Sequence, residues 1–264
     1  MVNHNCSGPL AQMLSALEME QSLTTEVIVV DSASTDDSVA LVRQSFPTVR
    51  IIEMPMNRGF AAAANRAMLD VAGDIAIVCS SELVAPVHTL AELGDRVRQG
   101  AAARMAVALP RLIDSSRDEL PIVGRLPGAL RGTLGIFSPP LARRVEVPPL
   151  DHVPDHQWAL LHCAAFECGL LHRLGGFDER FFRYYYDADV CLRLHERSYR
   201  ISIQRDLPVV YTGPSERSAA PHLRRLMRLD QHRFFQKHRP TWEQGLLRLD
   251  EKVWRLLRPG ALDG

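Results

Sequence analysis

The sequence is poor in the features that assign a chain to several common classes of protein. Its 264 residues contain 31 Lys and Arg and 31 Asp and Glu, so no net charge favours nucleic acid as a partner. Its five cysteines are scattered and odd in number, which suits reduced thiols in a cytoplasmic protein better than a disulfide framework. No Cys-x-x-Cys pair indicates a zinc site.

Long hydrophobic runs are missing as well. No apolar stretch approaches the roughly 20 residues that span a bilayer. The first residues lack the charged start and apolar core of a signal peptide. We therefore expect a protein that is soluble or peripherally bound to a membrane. Because 46% of the residues are hydrophobic, the chain can bury a core in one large domain or two small ones.

Short apolar runs alternate with helical patterns over the first 109 residues. The runs typical of buried strands are 27–30, 49–52, 75–78 and 106–109. The helical patterns are 10–21, 34–45, 61–71 and 89–99. This alternation predicts an α/β fold with a mostly parallel sheet. Residues 110–156 are rich in proline and glycine, and we expect irregular loops there.

One apolar run, Val27–Val30, stops at an acid. The stretch EVIVVDSASTDDS (26–38) places Asp31 at the end of the predicted strand and a polar loop after it. Ligands of open α/β sheets bind at the carboxyl ends of the strands, so Asp31 can hold a nucleobase or a ribose. The alternative is that Asp31 only orders the turn. Farther along, Asn57-Arg58-Gly59 forms a turn in which Gly59 allows positive φ or close backbone approach.

A second acidic segment follows a cluster of aromatic residues. The stretch GGFDERFFRYYYDADVCLRL (175–194) brings Asp187 and Asp189 to the start of a predicted helix. A carboxylate beside an aromatic wall is suited to act as a general base. The alternative is that both acids only stabilise the first turn of the helix.

Taken in order, these segments resemble the family 2 inverting glycosyltransferases with the GT-A fold, in particular their rhamnosyltransferase-like branch. The matching segments cover residues 1 to about 213 and are VNHN (2–5), 26–38, FPTVRIIEMPMNRGFAAAANRAM (46–68), GDIAIVCSSELVAP (73–86) and LGGFDERFFRYYYDADVCLRLHERSYRI (174–201). The resemblance implies a three-layer α/β fold. It also implies a nucleotide-binding half (1–109), an acceptor-side half (110–213) and a basic helical C-terminal extension (214–264).

The resemblance also implies roles for individual residues. Those matching the nucleotide site are Asn3, Asn5, Asp31, Ser34, Asn57, Arg58 and Gly59. Asp187 matches the general base. Tyr186 stands where the family often has the first acid of a Glu-Asp pair, and we expect it to bind the acceptor. Asp189 and Trp158 match the acceptor side, although Trp158 can equally be a core residue. In the family a full apolar strand precedes Asn3, so we expect a shortened central strand or a displaced start.

The metal motif of the family is degenerate here. The positions that usually hold acids for Mg²⁺ or Mn²⁺ read Cys-Ser-Ser-Glu, with Glu82 the one acid, and Tyr211 stands where a histidine often completes the site. Three outcomes remain open: Glu82 rebuilds a weak metal site, cations such as Arg217, Arg224 and Arg225 replace the metal, or activity is lost. The neighbouring His152, His156 and His162 are expected to be structural rather than metal ligands.

The resemblance implies a nucleoside diphosphate sugar donor, dTDP-rhamnose or a UDP-linked sugar, and a glycan or polyprenyl-linked acceptor. The basic tail after Pro221 carries an apolar stripe that fits either a membrane surface or packing on the domain. We therefore expect a cytoplasmic enzyme of cell-wall polysaccharide synthesis, at the inner face of the plasma membrane if the tail binds lipid. A non-catalytic nucleotide-binding relative is the main alternative. A nucleotidyltransferase fits less well, because VNHNCSGPL lacks a basic glycine-rich loop.

Overall fold

Strands and helices alternate along the chain in this computed structural model, which describes residues 1–18, 25–126, 145–146, 151–213 and 221–257. The strands are β1 (Val2–Asn3), β2 (Ile28–Asp31), β3 (Arg50–Glu53), β4 (Ile75–Cys79), β5 (Leu83–Val84), β6 (Met105–Ile113), β7 (Val123–Arg125), β8 (Val145–Glu146), β9 (Gln157–Ala159), β10 (Cys163–Glu167) and β11 (Arg200–Tyr211). The helices are α1 (Ser7–Glu18), α2 (Ser38–Ser45), α3 (Phe60–Met68), α4 (Val87–Gly100), α5 (Cys168–Arg173), α6 (Tyr186–His195), α7 (Pro221–His238) and α8 (Thr241–Leu257).

The central sheet is mixed. Strands β3, β2 and β1 pair in parallel, and a parallel bridge from Val2 to Ser80 joins them to the end of β4. Strand β10 runs antiparallel between β4 and β6, and β11 lies between β6 and β5. A small antiparallel sheet, β8-β7-β9, lies apart. The predicted α/β class is confirmed, but the sheet is mostly parallel only in its N-terminal part.

The apolar runs form strands because the sheet is covered by helices on both sides. All four residues of β2 are buried, as a strand between two helical layers requires. The largest core cluster contains residues of β4, β6 and β10 together with Phe234, Phe235 and Leu247 of the C-terminal helices. The helices after residue 220 therefore share the core of the sheet. Among the described residues, no helix has the length and apolar character needed to cross a membrane.

Two predicted segments differ from the structure. The helix expected over 34–45 begins only at Ser38, because Asp36 accepts hydrogen bonds from the N–H and hydroxyl of Ser38 and holds the preceding residues in a turn. The predicted helix over 10–21 is present from Ser7 to Glu18, and its last predicted residues lie outside the described part of the chain.

The expectation of irregular loops over 110–156 is wrong in its first part. Strand β6 continues through Pro110 to Ile113 and is almost wholly buried. The proline is accommodated because β11 shifts register between Gln204 and Pro208, opposite this point. A proline cannot donate to the ladder and is tolerated in strands at such irregularities. Strand β7 adds further order, and residues 127–144 and 147–150 lie outside the described residues.

Candidate functional site

Asn3, Asp31 and Ser34 form one hydrogen-bonded network at the carboxyl ends of β1 and β2. The Asn3 side-chain amide donates to Asp31 Oδ1 at 2.9 Å. The Ser34 hydroxyl donates to the same oxygen at 2.5 Å, and the Ser34 N–H donates to Asp31 Oδ2 at 2.8 Å. Asn3 and Asp31 are buried. Asp31 therefore orders the turn, as the simpler interpretation predicted, while standing at the position expected for a ligand.

The loop after β1 is locked to the loop after β2. Asn5 adopts a left-handed backbone with φ of 52°, its N–H donates to Ser34 Oγ at 2.9 Å, and its side-chain oxygen accepts the Thr35 N–H at 2.7 Å. Asp36 reaches the other way and accepts the N–H of Ser7, the first residue of α1. Burial raises the pKa of Asp36, but hydrogen bonds from Ser38 and Ser7 outweigh burial and lower it.

The turn Asn57-Arg58-Gly59 docks on the aromatic segment that precedes α6. Gly59 has φ of 88°, and a Cβ there would lie 2.0 Å from the backbone oxygen of Phe182. The same oxygen accepts the Phe60 N–H at 3.1 Å. The Asn57 side chain accepts the Gly59 N–H, and Arg58 pairs with an exposed acid of the 174–201 segment. The turn thus joins the two predicted halves of the site.

Glu82 lies next to the loop after β1 and beside Tyr211. The Ser81 N–H donates to the Val2 oxygen at 3.0 Å, which brings the degenerate metal motif next to Asn3. The Tyr211 hydroxyl lies 3.5 Å from Glu82 Oε2. The two positions that the resemblance linked to a metal therefore do meet in space.

The side chains at this point do not fit a site for Mg²⁺ or Mn²⁺. These cations are held by several oxygen ligands with carboxylates among them, and Glu82 is the one acid of the motif. Across the described ranges, no group of three or more His, Cys, Asp or Glu side chains is arranged to hold a metal ion. The ring of His162 lies 5.7 Å from that of Tyr211, whereas His152 bridges to Ser202 of β11.

Tyr186 and Asp187 form the start of α6. Both are buried, Asp187 completely. The Tyr186 ring stacks on Phe60 with centroids 4.7 Å apart, and Asp187 Oδ1 accepts the Ala188 N–H at 2.8 Å. Tyr185, just before the helix, has φ of 66°. The candidate base is therefore buried, next to an aromatic stack in sequence, and follows a strained backbone position.

Asp189 joins α6 to α7. Its carboxylate contacts Arg193 at 2.7 Å, Lys237 at 2.6 Å and His238 Nε2 at 2.6 Å. Burial raises the pKa of Asp189, but His238, Arg193 and Lys237 outweigh burial and lower it. The structure thus gives Asp189 a linking role between helices, and its predicted part in acceptor binding stays a prediction.

Trp158 lies in the core, 2% exposed. Its indole N–H donates to the Arg125 oxygen at 3.1 Å, and its ring fills the space where Gly124 lacks a side chain. The packing interpretation accounts for this position, and sugar stacking by Trp158 stays a prediction.

Arg183 is a cation of the site that the sequence patterns did not identify. Its guanidinium carbon lies 5.9 Å from the centre of the Tyr184 ring. Desolvation lowers the pKa of Arg183, but Tyr184, Glu82 and Tyr186 outweigh it and raise the pKa. Of the arginines proposed from sequence, Arg217 lies outside the described residues. The sequence does mark Arg183 in one way, because it is the single cation in the aromatic run, between Phe182 and Tyr184.

Comparison with known proteins gives matches along the chain. The profile of the family described as Glycosyl transferase family 2 matches residues 1–166. An N-acetylglucosaminyl-diphospho-decaprenol L-rhamnosyltransferase of Mycobacterium tuberculosis is 26% identical over 206 residues. That match covers 71% of this chain and 66% of the relative, so the chain spans slightly less than two thirds of the relative's length.

Solved structures share the fold. The mannosyltransferase PcManGT from Pyrobaculum calidifontis, in complex with GDP-Man and Mn²⁺, superposes with a TM-score of 0.58 at 21% identity, over 99% of this chain and 70% of that one. Residues 1–349 of S. aureus TarS, in complex with UDP-GlcNAc, give a TM-score of 0.58 at 14% identity, over 99% and 81%. The GT-A fold that the sequence resemblance implied is confirmed.

Proposed function

This chain belongs to glycosyl transferase family 2, and from that premise we propose that it transfers a sugar from a nucleoside diphosphate to a glycan or lipid-linked saccharide, with inversion at the anomeric carbon. One observation carries the proposal. The chain links the Asp31 network to the segment before the candidate base Asp187, because the Met54 N–H donates to the Asp31 backbone oxygen and the Phe60 N–H donates to the Phe182 oxygen. A nucleotide-holding group and a base in linked segments suit a single displacement, which needs the donor and the acceptor to be held together.

The donor that we propose carries a pyrimidine nucleotide. Asp31 Oδ2 accepts the Ser34 N–H, and a carboxylate oxygen can accept a second donor. Asn3 Oδ1 is buried and has no hydrogen-bond partner among the described residues. Both acceptors suit an imide N–H such as that of thymine or uracil. Because the curated relative is named as an L-rhamnosyltransferase, we propose dTDP-rhamnose first and a UDP-linked sugar second.

The acceptor that we propose is a saccharide linked to a polyprenyl diphosphate, as the name of the relative describes for that protein. Such an acceptor would place the protein in cell-wall polysaccharide synthesis, at the cytoplasmic face of the membrane. The C-terminal helices support this placement, because Trp242 and Leu249 of α8 are exposed, by 58% and 56%.

The transfer that we propose is a single displacement. The acceptor oxygen forms a bond to the anomeric carbon while the bond from that carbon to the diphosphate oxygen breaks. Asp187 takes the proton of the acceptor hydroxyl. Because Asp187 is fully buried, the acceptor reaches it only when side chains around it move aside.

The charge of the leaving diphosphate is met by Arg183 rather than by a metal in this proposal. Arg183 is exposed, and its charge acts on the same region as Glu82. A guanidinium pairs well with phosphate oxygens because it offers parallel N–H donors. The lone acid of the degenerate motif supports this assignment, since one carboxylate is a poor ligand set for a divalent cation.

The experiment that tests the proposal compares the unmodified chain with Asp187→Asn, Arg183→Ala and the control Asp206→Asn, whose carboxylate is exposed and pairs with Arg96. Calorimetry measures binding of thymidine, dTDP, UDP and GDP, each with Mn²⁺ and with EDTA. Transfer is measured with dTDP-rhamnose and a lipid-linked N-acetylglucosamine acceptor. We expect Asp187→Asn to lower kcat about 100-fold or more and to leave dTDP affinity unchanged.

Arg183→Ala should weaken dTDP binding roughly tenfold or more and leave thymidine binding unchanged, because thymidine has no diphosphate. Loss of dTDP binding on addition of EDTA would instead show that Glu82 rebuilds a metal site. Tight nucleotide binding without turnover in the unmodified chain would favour the alternative, a non-catalytic nucleotide-binding relative. That alternative is favoured by the same degenerate motif.

A further inference from the structure

The carboxylate of Asp230 in α7 binds three consecutive backbone amides of the aromatic segment. Asp230 Oδ1 accepts the Phe182 N–H at 3.2 Å, and Oδ2 accepts those of Arg183 and Tyr184, each at 3.0 Å. Arg233 donates to Oδ1 at 2.8 Å. Asp230 is fully buried, and these bonds are what make a buried carboxylate tolerable.

The amides that Asp230 holds lead directly to the candidate base. Tyr185 follows them with a left-handed backbone, and α6 begins at the next residue with Asp187 in its first turn. A left-handed backbone at a bulky residue costs free energy and persists only where its neighbours fix it. On the opposite side, the Phe182 oxygen accepts the Phe60 N–H. The segment 182–184 is therefore held from both the N-terminal half and α7.

Other side chains of α7 hold the same stretch. Phe234, one turn after Asp230, lies against Tyr185 with ring centroids 5.5 Å apart. Lys237 and His238, one turn farther, contact Asp189. The helix thus contacts the chain before, at and after the start of α6. All of these residues lie beyond the part that the family profile matches.

We propose that Asp230 is a positioning residue for the transfer reaction. By fixing the amides of 182–184, its carboxylate fixes where Arg183 presents its charge and where Asp187 presents its carboxylate to the donor and acceptor. Helix α7 then contributes to the active site by holding these residues in position. This inference rests on the proposed function, because it takes Asp187 as the base and Arg183 as the cation for the diphosphate.

Because a carboxylate accepts all three hydrogen bonds, replacing Asp230 with asparagine is the variant that tests them. In Asp230→Asn one oxygen becomes an NH₂ group, which is a donor facing at least one backbone N–H. The side chain keeps its size, so the variant changes hydrogen bonding and charge more than packing. Two controls separate other effects: Phe235→Leu disturbs a buried residue of the same helix, and Arg233→Ala removes the ion pair while leaving the three amide bonds.

The first measurement is hydrogen exchange, followed by mass spectrometry of the full chain. In Asp230→Asn we expect faster exchange of the peptide covering 181–186, with α7 itself still protected. Phe235→Leu and Arg233→Ala should leave exchange of that peptide close to that of the unmodified chain. Unchanged exchange in Asp230→Asn would overturn the inference whatever the activity.

The second measurement is steady-state transfer at a temperature where every variant is fully folded. We expect Asp230→Asn to lower kcat roughly 100-fold, because small displacements of reacting groups cost about that much, while thymidine affinity stays within about twofold. Equal losses in Asp230→Asn and Phe235→Leu would show a purely structural role and overturn the inference. A fully active Asp230→Asn would overturn the inference alone, whereas absence of transfer by the unmodified chain would overturn the proposed function and the inference with it.

Discussion

At the scale of single residues, the candidate site is built from side chains that already form hydrogen bonds within the loops of the protein. Asp31 binds Asn3 and Ser34 before any ligand arrives, and Asn5 holds the N–H of Thr35. If a nucleotide binds here as proposed, the network is already arranged, so little ordering entropy remains to be lost. The interpretation that Asp31 orders the turn and the one that it holds a ligand are therefore compatible.

Gly59 gives the first prediction at this scale. Replacing it with alanine should lower the free energy of unfolding by about 2–4 kcal/mol, because φ of 88° is strained for alanine and its Cβ would overlap the Phe182 oxygen. Urea denaturation measures the change. Gly8→Ala is the control: nothing lies within 4 Å of a Cβ there, and it should change the free energy of unfolding by no more than ~1 kcal/mol. A loss no greater than that of ordinary surface variants would contradict the close contact at Gly59.

At the scale of elements, helix α6 is held to α7 by a buried cluster of charges. Asp189 is the acid at its centre, and Arg193, Lys237 and His238 surround it. Lys237 also reaches Asp178, whose pKa is lowered by Arg180 and Lys237 although burial opposes this. Removing the central acid takes away the buried ion-pair partner of Arg193, which costs more than the pair itself contributes.

Asp189→Asn should therefore lower the free energy of unfolding by roughly 3 kcal/mol at pH 7. The pKa of Asp189 in the folded protein is below its ordinary value of 3.8, so the unfolded chain binds its proton first as the pH falls. The contribution is complete above about pH 4 and is lost below it. The difference in unfolding free energy between the unmodified chain and the variant should thus shrink as the pH falls below about 4.

Urea denaturation across this pH range measures that difference. Titrating groups that do not contact Asp189, such as His195, whose pKa is lowered mainly by burial, affect both proteins equally and cancel. Asp206→Asn is the control, because Asp206 is exposed and its pair with Arg96 is worth little. A difference that stays constant down to pH 2 would show that Asp189 does not lose its charge in this window.

The sequence predicted elements where the information is local. The run Val27–Val30 has to be a buried strand wherever it lies in the sheet, because it is apolar on both faces. The direction of strand β10 could not be predicted in this way. The sequence CAAFE (163–167) does not indicate whether the strand is parallel or antiparallel, and only its pairing with β4 and β6 shows that it is antiparallel. The proline at 110 suggested a loop, because the register shift that accommodates it in the strand lies in β11, far away in the sequence.

At the scale of the whole molecule, the difference between local and long-range information explains which candidate site residues could be predicted. Asp31 and Asp187 stand at the ends of recognisable elements, so their positions follow from the order of motifs. Asp230 has no such mark, because its partners are backbone amides 46 to 48 residues earlier. Backbone donors look alike in any sequence. The bonds by which α7 holds the segment before Asp187 could therefore not be predicted from the sequence.

The outer face of α8 gives the last prediction. Trp242 and Leu249 are seven residues apart, hence on one side of the helix, and both are more than half exposed. The neighbouring Arg248 and Lys252 are exposed too, and this combination favours an anionic membrane surface. The full chain should sediment with vesicles that contain phosphatidylglycerol, less so at high salt because the charges are screened. Replacing Trp242 and Leu249 with alanine should weaken binding roughly tenfold or more, since their apolar area no longer enters the lipid.

The matched control for that variant replaces Met56 and Leu69 with alanine. These are two other exposed apolar side chains, and they lie in the N-terminal part of the sequence. If apolar exposure alone caused sedimentation, both double variants would lose binding equally. If α8 is the lipid-binding element, only Trp242 and Leu249 matter. A chain that stays in the supernatant with anionic vesicles at low salt would show that α8 does not bind a membrane surface of this composition.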